Sequence, residues 1–114
     1  MITELKPNQI FVFGSNLAGQ HGGGAALQAL QWGTVMGISK GLSGQTYAIP
    51  TLDSKLNKLP LRAIRYRLHR LADPATEHQE LEFLLTKVGC GIAGFEPEEM
   101  ESIMPSFPSN VTRV

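Results

Sequence analysis

Gln9-Ile-Phe-Val-Phe-Gly-Ser-Asn-Leu-Ala-Gly-Gln-His-Gly-Gly-Gly-Ala25 passes from an apolar run to a glycine-rich one within seventeen residues. Its first five residues are β-branched and aromatic with almost no polar interruption. A short apolar run of this kind predicts a strand over 9–13 that is buried on both faces, as in a parallel sheet. Gly14 is expected to stop it. Ser15 to Gly24 then reads as a polar, glycine-rich loop, and Ala25–Trp32 (Ala-Ala-Leu-Gln-Ala-Leu-Gln-Trp) as a helix broken by Gly33. The chain thus opens with strand, glycine loop and helix.

Working outward, Gly33, Gly37, Gly41 and Gly44 punctuate turns around a short extended piece. Gln45–Ile49 is a second strand candidate, ended by Pro50. Between Leu59 and Ala72 the apolar positions 61, 64, 68 and 71 recur at spacings of three and four, which marks one face of a helix. Six of the ten basic residues (Lys55, Lys58, Arg62, Arg65, Arg67, Arg70) lie in or just before that helix, and Asp73-Pro74 should end it. Leu81–Val88 is a third strand, running into Gly89-Cys-Gly-Ile-Ala-Gly94. Glu98–Met104 is a short acidic helix with Pro97 near its start, where proline is tolerated. Asn110–Val114 reads as a final edge strand. Strands that alternate with helices imply an α/β domain with a largely parallel sheet, and 114 residues give room for one such domain, spanning 1–114.

Composition narrows the function classes. The chain is 42% hydrophobic and 18% charged, as a packed globule requires. Ten basic and ten acidic residues cancel, which speaks against a general nucleic-acid binder. A single cysteine, Cys90, permits no intramolecular disulfide and fits a reducing compartment. With three histidines it spells out no zinc cluster, so no metal is expected. No apolar run approaches the ~20 residues that span a bilayer, and the expectation is a cytoplasmic protein without membrane contact.

The 12 glycines are the informative excess, and they cluster at 14–24, 33–44 and 89–94. The first and last clusters follow predicted strands, at the carboxyl ends where open α/β sheets bind ligands. Glycine lets a phosphate approach the backbone without meeting a Cβ. A helix follows each loop, and its first N–H groups favour anions. Two named motifs fail on inspection. Gly14 and Gly19 have Walker A spacing, but Gln20 and His21 stand where that loop needs Lys and Ser or Thr. Gly89–Gly94 matches G-x-G-x-x-G, yet only twenty residues follow Gly94, too few to complete a dinucleotide-binding unit.

Asn16, Gly22-Gly23-Gly24 and the following Ala25-Ala26-Leu27 resemble the Asn-then-triple-glycine segment of macrodomains, which bind ADP-ribose. Gly89-Cys90-Gly91-Ile92-Ala93-Gly94-Phe95 is similar to the macrodomain phosphate loop, and Thr46–Pro50 resembles the intervening strand. Phe11 to Gly19 (FVFGSNLAG) also resembles a segment of small uncharacterised bacterial and phage proteins. The macrodomain resemblance implies a small three-layer α/β fold with a mixed, largely parallel sheet and a nucleotide ligand of ADP-ribose type. It would place Gly14, Ser15 and Asn16 at the ligand, with Asn16 on the distal ribose. Gly22, Gly23 and Gly24 would line that ribose and its phosphate. Gly89, Cys90, Gly91, Ile92, Ala93 and Gly94 would wrap the diphosphate, and Phe95 would lie near the proximal ribose. No further cofactor is implied. Family hydrolases carry an acid soon after the triple glycine, or a glutamate shortly downstream. Here Ala25-Ala26-Leu27, Gln28 and Gln31 occupy those places, and no adenine-holding aspartate is apparent before Ala18. Binding is therefore better supported than hydrolysis.

Several residues carry two readings. His21 sits at a helix entrance, where it and Asn16 are the candidate catalytic residues of a hydrolase; a solvent-facing loop histidine is the plainer alternative. Cys90 lies at a strand-to-helix turn that can activate a thiol, but no histidine is fixed beside it, which favours a buried small hydrophobe. The Arg-rich helix could present a phosphate-binding face for nucleic acid, but its amphipathic spacing favours a solvated outer face balanced by the acidic segment 96–101. Asp53 reads as the cap of a turn, and Trp32 as packing. The expected function is binding of ADP-ribose or a related nucleotide or phosphate. The alternatives are an ADP-ribose-processing hydrolase and a ligand-free interaction module.

Overall fold

Alternation within Gln9–Asn16 (β1) sends Ile10 and Val12 to one face of a central sheet and Phe11 and Phe13 to the other. This is seen in a computed structural model, which describes residues 2–114. The other strands are Gly41–Ser43 (β2), Thr46–Leu52 (β3), Glu82–Leu85 (β4) and Val111–Arg113 (β5), in the spatial order β2-β3-β1-β4-β5. β1 pairs in parallel with both β3 and β4, β4 pairs in parallel with β5, and β2 alone is antiparallel. The sheet is thus mixed and mostly parallel. The helices are Gly24–Ala29 (α1), Leu61–Arg70 (α2), Ala72–Glu77 (α3) and Pro97–Ser102 (α4).

The two faces form two cores. Ile64 and Leu68 of α2, Ala75 of α3 and Met100 of α4 pack with Ile10, Val12, Ile49, Phe83 and Leu85. Ala26 and Ala29 of α1 pack with Phe11, Phe13 and Ala48, and Trp32 closes that side with its ring 4.9 Å from Phe11. The α1 face is the shallower because small alanines meet large rings.

Several local expectations need correction. Gly14 does not stop β1, which continues to Asn16 because Gly14, Ser15 and Asn16 pair with Ile49, Pro50 and Leu52. Pro50 does not end β3 either. β2 covers only residues 46–48 of β3, so Pro50 has an open flank where its missing N–H breaks no ladder. The predicted helix over 59–72 is two helices. α2 ends at Arg70, and Pro74 then sits in the first turn of α3, where it removes no helical bond. Gly33 ends the 3-10 turn Leu30–Trp32 at φ 105°, as a left-handed cap should. The edge strand lies where the sequence placed it.

Candidate functional site

Both glycine loops meet at the carboxyl ends of β1, β3 and β4. There they line one open cavity of about 900 Å³. Gly14, Ser15 and Asn16 come from the end of β1, and Gly22, Gly23 and Gly24 from the entrance of α1. Gly89, Cys90, Gly91, Ile92 and Ala93 form the facing wall. Gly14 lets the second loop come close: a Cβ there would stand 3.3 Å from the Gly89 backbone nitrogen, a tight contact that glycine avoids. Across the front, Ile92 reaches over, and a Cβ on Gly23 would be 3.1 Å from its Cδ1. The Ile92 side chain is 73% exposed, so it spans the cleft without filling it.

The backbone N–H groups of Gly22, Gly23, Gly91, Ile92 and Ala93 find no acceptor among the described residues. Unpaired donors on two facing walls suit an anion. The following helices contribute unequally. α1 opens onto the cleft but has only six residues. α4 is closed by its own capping box, in which the Glu96 carboxylate accepts from the backbone of Glu99 while Glu96 N–H donates to Glu99 Oε1 at 3.1 Å. Its N-terminus offers an anion nothing, contrary to the expectation for the second loop.

Three of the expected site residues lie elsewhere. His21 is neither solvent-facing nor in the cleft: it is fully buried, and Nε2 donates to the carbonyls of Val35 at 3.1 Å and Ile38 at 2.9 Å. Its ring meets Phe13 edge-on at 5.7 Å. This pins the 33–40 loop to the first glycine loop; Nδ1 is buried without a partner among the described residues, and the ring does not line the cleft, so it has no place there as acid or base. Phe95 is turned into the core beneath α2 and α4, and its N–H closes the second loop on the Gly89 carbonyl at 2.8 Å. Gly94 lies outside the cleft wall, with its carbonyl accepting from Lys58 Nζ at 3.1 Å.

Asn16 does line the cleft, and it also braces its own loop. Its Nδ2 donates to the Gln20 carbonyl at 2.8 Å, and its Oδ1 accepts from Gln20 N–H at 3.0 Å. One N–H and one lone pair of the amide remain for a ligand. The Ser15 hydroxyl is committed to the Ser39 carbonyl. Burial pushes the Cys90 thiol above its ordinary value; Lys87 pulls it down less strongly. Cys90 is therefore a half-buried thiol and not an activated nucleophile. Asp53 caps its turn, accepting at Oδ1 from the N–H groups of Lys55 and Asn57 at 2.8 and 2.9 Å.

The structure adds residues to the site. Thr86 and Lys87 follow β4 into the cleft, where the strand-end rule that picked out Gly89 also pointed. Leu56 lies on the rim in a left-handed conformation, φ 65°, and no feature of its sequence announced it. Ile2, Phe11 and Ala26 make the far end apolar. Among the described lining residues there is no aspartate, glutamate, histidine or arginine, and Lys87 is the single charged side chain. No group of three or more metal-ligating side chains occurs among the described residues. No described helix is long and apolar enough to cross a membrane.

No family model matches the chain, and no curated protein matches it. Two solved structures from Bacteroides thetaiotaomicron are similar to it. One, a protein of unknown function, has 17% identity and a TM-score of 0.61, covering 97% of this chain and 90% of its own. The other, a structural genomics target, has 18% identity and a TM-score of 0.57, covering 99% and 94%. At such identities the likeness is one of fold: this chain shares its α/β architecture, over nearly its whole length, with proteins of that bacterium.

Proposed function

We propose that the chain binds ADP-ribose or a closely related nucleotide diphosphate in the cleft between its two glycine loops. One observation carries this reading: a cavity of nucleotide size is lined by two glycine-rich loops whose backbone N–H groups find no acceptor, and by no anionic side chain, among the described residues. The diphosphate takes the glycine walls and Lys87 balances part of its charge. The apolar end near Ile2 and Phe11 takes the base, and the free valences of Asn16 take a ribose hydroxyl. The hydrolase reading lacks an imidazole or a side-chain carboxylate for proton transfer, because His21 is buried away from the cleft and no Asp or Glu lines it among the described residues.

Isothermal titration with ADP-ribose tests this. Gly91 has an ordinary backbone conformation and open space where its Cβ would be. Gly91→Val should therefore fold normally and lose at least a hundredfold in affinity, about 2.7 kcal/mol, because the side chain stands in the phosphate path. A flat titration for the wild-type protein, or unchanged affinity in Gly91→Val and Gly23→Val together, would overturn the proposal.

A further inference from the structure

Residues 54–72 carry Lys55, Lys58, Arg62, Arg65, Arg67 and Arg70, and not one carboxylate. In the structure this becomes a surface. α2 buries Ile64 and Leu68, so Arg62, Arg65, Tyr66 and His69, at i, i+3, i+4 and i+7, form its exposed stripe. Lys58 precedes the stripe, outside the cleft, where it donates to the Gly94 carbonyl.

The acidic residues do not neutralise this face. Of the six cations, only Arg70 has a carboxylate partner among the described residues: Asp73 at 3.4 Å. Asp53 is turned onto its own loop, Glu101 pairs with Arg113, and Glu96 and Glu99 cap α4. The balance expected from segment 96–101 holds for net charge but not in space. Like charges one turn apart cost a helix a few tenths of a kcal/mol per pair, and among the described residues only Asp73, beside Arg70, offsets that.

Tyr66 distinguishes the kind of anion. It is 55% exposed amid the cations, with the Arg67 guanidinium carbon 5.4 Å from its ring centre. An acidic peptide would satisfy the arginines and leave the ring without a role. A single-stranded nucleic acid uses both, placing phosphates on cations and a base on the aromatic face. We infer that the outer face of α2, with Lys58 at its approach, docks a single-stranded nucleic acid. The site is independent of the ligand held in the cleft. The neutral chain supplies little long-range attraction, so the contact is local and strongly salt-dependent.

Fluorescence anisotropy with a labelled oligouridylate tests the inference. With about three phosphates neutralised, log affinity should fall with log salt at a slope of about −2. Arg62→Gln/Arg65→Gln should reduce that slope by about 1.4 and affinity about tenfold at low salt. Tyr66→Ala should lose at least about fivefold with an unchanged slope. Arg62→Lys/Arg65→Lys should keep the slope. These side chains are exposed, so thermal unfolding and ADP-ribose titration should match wild type in every variant. The inference is overturned if wild type does not bind at low salt or if the glutamine variant binds equally well. It is also overturned if polyglutamate of equal charge competes as effectively as the oligouridylate, since the partner would then be an acidic protein.

Discussion

Removing the imidazole of His21 separates a structural clamp from a catalytic group. In His21→Ala the buried ring is lost together with the donor that serves the Val35 and Ile38 carbonyls. A void of roughly 50–70 Å³ costs about 1.2–1.7 kcal/mol at ~24 cal/mol per Å³. Two carbonyls lose a shared donor, which adds about 1 kcal/mol. The edge-on contact with Phe13 at 5.7 Å contributes a further ~0.5–1 kcal/mol. The sum is about 3 kcal/mol, a large share of the ~5–15 kcal/mol that holds a domain together. Urea denaturation should show a lower midpoint at unchanged slope, and calorimetry a melting temperature lower by about 10–20 °C. His21→Gln, which keeps an N–H donor, should recover part of the loss. A His21→Ala protein within about 0.5 kcal/mol of wild type would refute the clamp.

Other expectations follow from single contacts. Gly89→Ala should cost about 1–3 kcal/mol, because φ is 79° and the new Cβ would stand 3.0 Å from Met100 Sδ. Gly22→Ala, with open space and no positive φ, should be nearly neutral in the same denaturation assay; equal costs would contradict the loop geometry. Hydrogen bonds from Gln9 and Thr112 hold the Glu82 carboxyl below its ordinary value, so its contribution is present above the unfolded pKa and lost as pH falls through the lower folded one. Gln9→Ala should flatten that acid limb of the stability curve by less than about 1 kcal/mol, since the carboxylate is exposed to solvent screening. Alkylation of Cys90 should show a pH midpoint above that of a free cysteine, and Lys87→Ala should raise it further; a midpoint below the free thiol would contradict the burial argument.

Much of the fold was legible because its signals are local. The apolar run at 10–13 had to be a doubly buried strand, and its alternation alone sorted Ile10 and Val12 from Phe11 and Phe13. Spacings of three and four marked the inner face of α2. Proline misled twice, since its cost depends on which neighbour is present: Pro50 pairs with β1 but has no strand on its other flank, and Pro74 falls in a first turn.

For the site, the sequence by itself determined where the two glycine loops lie and that both follow parallel strands. Strand direction, loop placement and the absence of Cβ atoms are properties of the chain's local chemistry. Tertiary structure decided which side chains face the space between them. His21 turned inward because the Val35 and Ile38 carbonyls, 14 and 17 residues along the chain, accept hydrogen bonds from its Nε2–H. Phe95 turned inward because the core beneath α2 and α4 is the larger apolar sink. Lys87 and Leu56 reached the cleft through the ends of strands and turns. The charge of the chain sums to zero and the sequence already groups six cations at 55–70, yet only folding shows that all of them but Arg70 stand without a carboxylate partner among the described residues. Composition counts charges, whereas electrostatics depends on the distances between them.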